Sequence, residues 1–387
     1  MKRNSFLRIL IPVTQLPVEI DSIKGGVDSA LINLLNGFAQ CEIEVRVVSF
    51  SREVAQETII PFSEHIRIHY VPEGKFKFHL LNYWFNGPKL MRKQIDEFKP
   101  DLVHFQEGNS FFLIKPKEYP VSKTLITIHG FALEEAKRKK KIKDKITWMI
   151  NGWLNPLLSP KNHIHLSEFS IKLYHENRNQ HATIIRNAIK NVFFNVPLKD
   201  KTDNRLLYLG IIDNNKNLIF TLEILHKLKE IGIVYHLDVM GGFSNAEYEM
   251  KIHQFIKEKK LEDQISFHGW VNQTQVLEQL KLSDMLIVSS KHESLPMAIA
   301  ESMAAGKVVL GSAVGGIPEM FENEKSGFLF NLNDAPHLVE CLVKLHSNHA
   351  LVHQISSAAR SHAIQNYHCL HVAKSTLAFY QTILTEQ

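Results

Sequence analysis

The sequence predicts an α/β chain built from two doubly wound parallel sheets. Three features predict it. Short apolar runs of strand length alternate with amphipathic stretches of helical period along most of the chain. A polar break from Asn191 to Asn204, with Pro197 and Lys199-Asp200-Lys201-Thr202-Asp203, separates two such series and reads as an interdomain linker. A length of 387 residues suits two domains, at most three.

In the first series the strands are Leu7–Val13, Val45–Phe50, Ile66–Tyr70, Leu102–Gln106, Leu125–His129, Ile164–Leu166 and Thr183–Arg186. Amphipathic segments such as Val27–Gln40 and Leu90–Phe98 fall between them. The first strand faintly imitates a signal peptide. Arg8 interrupts its apolar run, Pro12 ends it, and no small-residue cleavage site follows, so a strand is the better reading. The second series has strands Leu206–Leu209, Tyr235–Met240, Ile265–His268, Met285–Ser289 and Val308–Gly311. Its helices are Leu218–Ile231, Glu247–Lys259, Gln273–Lys281 and Pro296–Ala305. The tail from Pro336 to Gln387 reads as helical.

Composition is that of a globular protein, with 44% hydrophobic and 22% charged residues. A net charge of +5 and a pI near 8.8 permit an anionic partner without requiring one. Three dispersed cysteines, Cys41, Cys341 and Cys369, read as thiols in a reducing compartment. No apolar run approaches the length of a membrane span, so a soluble, cytoplasmic protein is expected. One stretch argues for contact with a membrane surface. The basic run Lys137–Lys145 leads into the apolar-aromatic Ile146–Leu154, so 137–154 is a candidate patch for anionic lipid, with a mobile loop and a core helix as the plain alternative. Nucleic-acid binding is not expected, since no recognisable module accompanies the charge.

Chemistry concentrates around Lys291 to Gly306. The buried strand ending near Val288 is followed by Glu293 in a loop, then by Ser294 and Pro296, which signal a helix start, and Gly306, which signals its stop. Glu301 falls in the body of that helix, on the face of Met297 and Ser294, so both carboxylates can address one crevice. A helix N-terminus there favours phosphate, whereas carboxylates suit neutral hydroxyls that donate to them. A phosphate flanked by polyols fits both: a nucleotide sugar. An ordinary strand–loop–helix is the alternative for a Glu pair at this spacing. Other marks lie at strand ends: Gly25-Gly26, His129-Gly130, Lys216 after Leu206–Gly210, Met240-Gly241-Gly242, Gly269-Trp270-Val271 and Gly315-Gly316.

In this order and spacing the marks resemble the retaining glycosyltransferases of family 4. The resemblance is strongest from Leu206 to Phe330, with Gly-x5-Lys from Gly210 to Lys216, Glu-x7-Glu from Glu293 to Glu301, Gly315-Gly316-Ile317-Pro318-Glu319 and Ser326-Gly327-Phe328-Leu329. In the first half it rests on Gly25-Gly26, Asp101–His104, Thr127–Gly130 and Arg186-Asn187-Ala188. It implies the GT-B fold: two Rossmann-like domains facing across a cleft, divided as 1–197 on the acceptor side and 198–365 for the nucleotide sugar, with a helix in 366–387 crossing back to the first.

The resemblance also implies roles. Glu293 meets the donor sugar, with His129 near the transferring sugar. Lys216 meets the diphosphate, assisted by Gly25, Gly26 and the stretch Ser294, Leu295, Pro296 and Met297. Glu301 holds the ribose, and Gly241, Trp270 and Val271 lie at the base. His129, Glu293 and Lys216 are thus the catalytic candidates. The activity implied is transfer of one sugar from a nucleotide-diphosphate sugar to a glycan or lipid-linked acceptor, in cell-surface polysaccharide or glycolipid assembly. No metal and no cofactor are expected, since no two of the 12 aspartates stand two residues apart as Asp-x-Asp requires. One departure is serious: Ile211 stands where the family usually carries Arg. Losing a charge-assisted hydrogen bond is roughly a 10- to 100-fold effect. Arg186 is a candidate substitute. Arg205, about 17 Å away at the start of its strand, is not. A second, minor departure is Lys307-Val308 where Gly-x-Pro-Val is typical. The alternatives are a weak or inactive subunit that binds a nucleotide or supports an active partner, and a nucleotide-sugar epimerase on the same fold.

Overall fold

The computed structural model describes residues 6–19, 26–72, 87–106, 119–130, 160–174, 181–199 and 201–385. The chain forms two units, Met1–Ala188 with Cys369–Gln387, and Ile189–His368.

The first unit carries β1 (Leu7–Val13), α1 (Gly26–Phe38), β2 (Ile43–Ser51), β3 (Thr58–Pro61), β4 (Ile66–Pro72), α2 (Gly87–Phe98), β5 (Leu102–Phe105), β6 (Thr124–Ile128), β7 (Asn162–His165), α3 (Glu168–Tyr174) and β8 (His181–Ile184). Its sheet runs β3-β4-β2-β1-β5-β6-β7-β8, parallel except for β3. The inner strands are apolar on both faces because helices cover both, and Ile9, Leu10 and Ile11 are fully buried. The antiparallel β3 was not expected from the sequence. It has four residues, ends in Pro61 and leaves Ile59 52% exposed, all properties of an edge strand.

The second unit carries β9 (Arg205–Leu209), α4 (Leu218–Glu230), β10 (His236–Met240), α5 (Ala246–Glu258), β11 (Ile265–Gly269), α6 (Gln273–Leu282), β12 (Met285–Val288), α7 (Met297–Ala304), β13 (Val308–Ser312), β14 (Phe328–Phe330), α8 (Ala335–Ser347) and α9 (His349–Tyr367). The sheet is wholly parallel, in the order β11-β10-β9-β12-β13-β14. Order reverses at β9, between β10 and β12, so the loops after β9 and β12 flank the topological switch point where such sheets bind ligands.

The helix α10 (Cys369–Thr385) returns to the first unit and packs on α1. Gly37 permits this close approach, since a Cβ there would lie 2.2 Å from the Cys369 carbonyl oxygen. The divisions fall at 188/189 and 368/369, beside the expected 197/198 and 365/366. The reason is visible in the stretch read as a linker. Asn191–Asn195 form a 3-10 turn, and Ile189, Phe193 and Val196 are buried against Ile299, Met303 and Tyr367 in the second unit's core. A polar surface concealed three anchoring side chains.

Candidate donor-binding site and a first-unit pocket

The second unit joins two loops into one structure. After β9 the chain turns at Gly210, and the Asp213 carboxylate accepts the Lys216 amide at 2.7 Å. Asn217, in a left-handed conformation, then starts α4. After β12, Ser289 Oγ donates to the carbonyls of Lys216 and Asn217, at 3.1 and 3.0 Å. The Lys291 amide donates to the Asn215 carbonyl at 2.7 Å, and Asn215 Nδ2 donates back to the His292 carbonyl at 3.1 Å. This lacing sets Lys216 Nζ 2.5 Å from Glu293 Oε1, which also accepts from Ser290 Oγ at 2.8 Å. Glu293 Oε2 has no hydrogen-bond partner among the described residues. The Glu293 side chain is only 12% exposed, so its charge needs the lysine.

The glycine turn after β13 fits against the same loop. A Cβ on Gly315 would lie 1.7 Å from the Glu293 carbonyl oxygen, and one on Gly316 would lie 1.9 Å from that of Ser294. Only glycines allow the two turns to touch. Ser294 and Leu295 lead to Pro296, which caps α7, and Met297 is its first residue. The amides from Met297 onward therefore open the helix, with the positive end of its dipole.

Glu301 stands in α7, partly buried. Burial pushes its carboxyl up to about 7, against the opposing pull of Lys190. Among the described residues nothing hydrogen-bonds it, so it is open to hydroxyl donors. At the next strand ends, the Gly241 amide donates to the Gly269 carbonyl at 2.8 Å, and Gly210 donates to Met240 at 3.0 Å. Trp270 is 72% exposed, and its indole lies where a Cβ on Gly242 would be 2.2 Å from Nε1. Val271 packs partly buried against the core. Ile211, where the cation is missing, is 45% exposed.

In the first unit, His129 follows β6 and lines a narrow pocket with His104, Gln106, Thr127, Arg186 and Asn187. Arg186 therefore shares a unit with His129, whereas Lys216 lies in the other. Burial pulls the His129 imidazole down to about 4 and that of His104 to about 3. Gly26 opens α1, while Gly25 and the basic stretch 137–154 lie outside the described residues. Asp213, Ser289 and Ser290 support Lys216 and Glu293 without belonging to any motif of the sequence. Hydroxyls clustered at a strand's carboxyl end were the available signal.

Two doubly wound parallel sheets, one with an acid–base pair and glycine turns at its switch point, define the GT-B class. Family models agree: "Glycosyltransferase Family 4" matches residues 24–190 and "Glycosyl transferases group 1" matches 189–362. The chain belongs to these glycosyltransferases. It is similar to the amylovoran biosynthesis glycosyltransferase AmsK of Erwinia amylovora, 28% identical over 203 residues, which is 50% of this chain and 49% of AmsK. It is 25% identical over 278 residues to the Escherichia coli UDP-Gal:alpha-D-GlcNAc-diphosphoundecaprenol alpha-1,3-galactosyltransferase, covering 66% of this chain and 68% of that one. AmsK and several other curated relatives are matched over about half of their length or less. Among solved structures, sucrose-phosphate synthase of Thermosynechococcus elongatus superposes with a TM-score of 0.74 at 16% identity, covering 98% of this chain and 100% of that one. No helix among the described residues is long and apolar enough to cross a membrane.

Proposed function

We propose that this chain is a retaining, metal-independent glycosyltransferase that moves a single sugar from a nucleoside-diphosphate sugar to a glycan or lipid-linked acceptor. Cell-surface polysaccharide or glycolipid assembly is its setting. The observation that carries this reading is the Lys216–Glu293 pair at the switch point. Three ammonium protons let Lys216 hold Glu293 and still donate to a diphosphate. Glu293 Oε2 is left for a hydroxyl of the donor sugar, and Glu301 for the ribose. The α7 amides and Lys216 together meet the charge that develops on the departing diphosphate. His129, from the first unit, is assigned to the transferring sugar. The substrates in the galactosyltransferase's name, a UDP-sugar and a diphosphoundecaprenol-linked acceptor, are of the proposed classes.

Screening a panel of nucleotide sugars for donor hydrolysis and transfer tests the proposal. The product anomer, read by NMR, should match the donor, and chelation of divalent cations should leave the rate unchanged. The exposed Ile211 favours a second reading, a subunit that supports an active partner. Failure to bind uridine or guanosine diphosphate at millimolar concentration would decide for it. Peripheral attachment through 137–154 predicts binding to anionic vesicles that salt reverses, and equal binding to neutral vesicles would refute it.

A further inference from the structure

The amino ends of the first sheet carry a cleft that belongs to no motif. It holds about 190 Å3 of free space, and Glu44, Arg46, Glu64, His65, Arg67 and Phe98 are among its walls. His129 stands at the opposite end of the same sheet. The seven residues of β4 put about 20 Å between the two ends.

Alternation along the strands makes the cleft basic. Ile9, Val45, Val47, Ile66 and Ile68 pack on one face of the sheet, so Arg8 in β1, Arg46 in β2 and Arg67 in β4 share the other, which α2 covers. Arg46 and Arg67 are register partners on adjacent strands, with backbones about 4.8 Å apart. Two like charges held side by side repel each other unless an anion stands between them.

The protein answers these charges unequally. Arg8 is met: its Nε donates to Glu44 at 3.1 Å, and its guanidinium lies 4.7 Å from the centre of the Phe98 ring. Arg46 is met in part. Its guanidinium lies 4.5 Å from the same ring centre, and one terminal nitrogen donates to Gln94 Oε1 at 2.9 Å, with Glu97 3.8 Å away. Gln94 is turned for this by donating its own nitrogen to Glu57 at 3.0 Å. Nε and the second terminal nitrogen of Arg46 have no hydrogen-bond partner among the described residues. Arg67 is exposed and makes no hydrogen bond or ion pair among the described residues. Burial above all holds the Arg46 guanidinium below its ordinary value, and Arg8 and Arg67 pull the same way against Glu97 and Glu44.

The carboxylates of the cleft do not restore the balance. Glu44 is taken by Arg8, and the Glu64 side chain is 88% exposed, 3.8 Å from the His65 imidazole. Nor can Arg46 swing away into water, since Phe98 and Gln94 hold a side chain that is only 16% exposed. An anion between the two arginines would accept from the free N–H groups of both. A carboxylate has two oxygens and suits one guanidinium fork, whereas a phosphate has enough to meet two.

We propose that this cleft binds a phosphate group between Arg46 and Arg67, at the end of the first sheet remote from His129. The group comes from a soluble phosphate ester or from a phospholipid headgroup, and nothing in the site depends on the transferase reading. Calorimetric titration of the full chain with inorganic phosphate, at constant ionic strength, reads the affinity. Arg67→Ala should weaken it about tenfold, the loss of one charge-assisted contact partly screened by solvent. Phosphate taken up at the donor site is common to both chains, so the difference belongs to this cleft. Nucleotide affinity and donor hydrolysis should be the same in Arg67→Ala as in the wild type when phosphate is absent. Equal phosphate affinity in the two chains overturns the inference, as does a wild type that binds no phosphate. Should Arg67→Ala fail to fold, Arg46→Gln decides on the same terms. Phosphatidylcholine vesicles with and without phosphatidic acid then identify the source. Binding to the acidic vesicles that falls in Arg67→Ala assigns a headgroup, and vesicle binding that the substitution leaves alone while the phosphate titration weakens assigns a soluble ester.

Discussion

The two units arm the carboxyl ends of their sheets in opposite ways. In the second, Lys216 and Glu293 are an ion pair held by loops from two short windows of sequence, 210–217 and 289–294. In the first, a buried His104 and a half-buried His129 are uncharged; His104 meets a tyrosine from the far end of the chain, and His129 meets Gln106. Charge stands where a diphosphate would bring charge of its own. A neutral set of side chains suits a hydroxyl, because it selects orientation without paying to bury an ion. Variants of the charged site should therefore lose affinity and rate together, and variants of the neutral one should spare affinity.

The largest effect is expected from Lys216→Ala. It removes a charge-assisted hydrogen bond and leaves the largely buried Glu293 carboxylate without its cation. Donor-hydrolysis kcat/KM should fall by about 10²–10³ and nucleotide affinity by about 10- to 100-fold. In a double-mutant cycle Glu293→Gln should add little to Lys216→Ala, because the pair acts as one element. Full additivity would mean that the two side chains serve separate functions.

Glu301→Gln comes next and acts through pH. The native carboxyl, pushed up to about 7, binds its proton more tightly than the unfolded chain with its ordinary value of 4.5. Between those values the native state holds more protons, so stability falls as pH rises and the penalty is complete above about 7. Discounted for partial exposure, it is about 1–2 kcal/mol. Glu301→Gln should raise Tm at pH 8 and leave it unchanged below about pH 4. Its nucleotide affinity should be about tenfold weaker at pH 8, and wild-type affinity should decline toward that of the variant below pH 7. Equal Tm at pH 8 would mean that the carboxyl is solvated after all.

These two predictions rest on residues legible in the sequence, and the reason is local. Glu293, Glu301, Lys216 and the glycine turns each sit at a fixed offset from a strand end, so an alternating pattern places them without knowledge of packing. The same pattern gave most inner strands to within a residue or two. It missed β3, whose four residues resemble loop, and misread 191–204, where Phe193 and Val196 are buried in a polar setting. Tyr380 was illegible for a different reason. One tyrosine in an amphipathic helix is ordinary core until tertiary structure sets its hydroxyl against His104.

Gly37→Ala tests whether α10 holds that hydroxyl in place. The added methyl would meet the Cys369 carbonyl and the Ala373 Cβ, the latter at 2.7 Å, so α10 must shift from α1. A stability loss of about 1–3 kcal/mol is expected from overpacking, read as a lower Tm. Hydrolysis kcat should drop with little change in nucleotide affinity, the reverse of the pattern for Glu301. A weakened nucleotide affinity instead would break the division of labour between the units.

The smallest effect is a gain. Ile211 exposes an apolar side chain in the loop that carries Lys216 and is not among the residues packed on the second unit's core. Ile211→Arg should strengthen diphosphate binding about tenfold, one charge-assisted contact diluted by solvent. The companion variant Arg186→Ala gives the result its meaning. If Arg186 already serves the diphosphate, its removal weakens binding in the wild type and does so less in the Ile211→Arg background, since either arginine then suffices. If Arg186→Ala leaves affinity untouched in both, the arginine belongs to the pocket it shares with His129. The diphosphate would then be met by Lys216 and the α7 amides, so the Lys216→Ala loss measures what side-chain charge contributes to holding it.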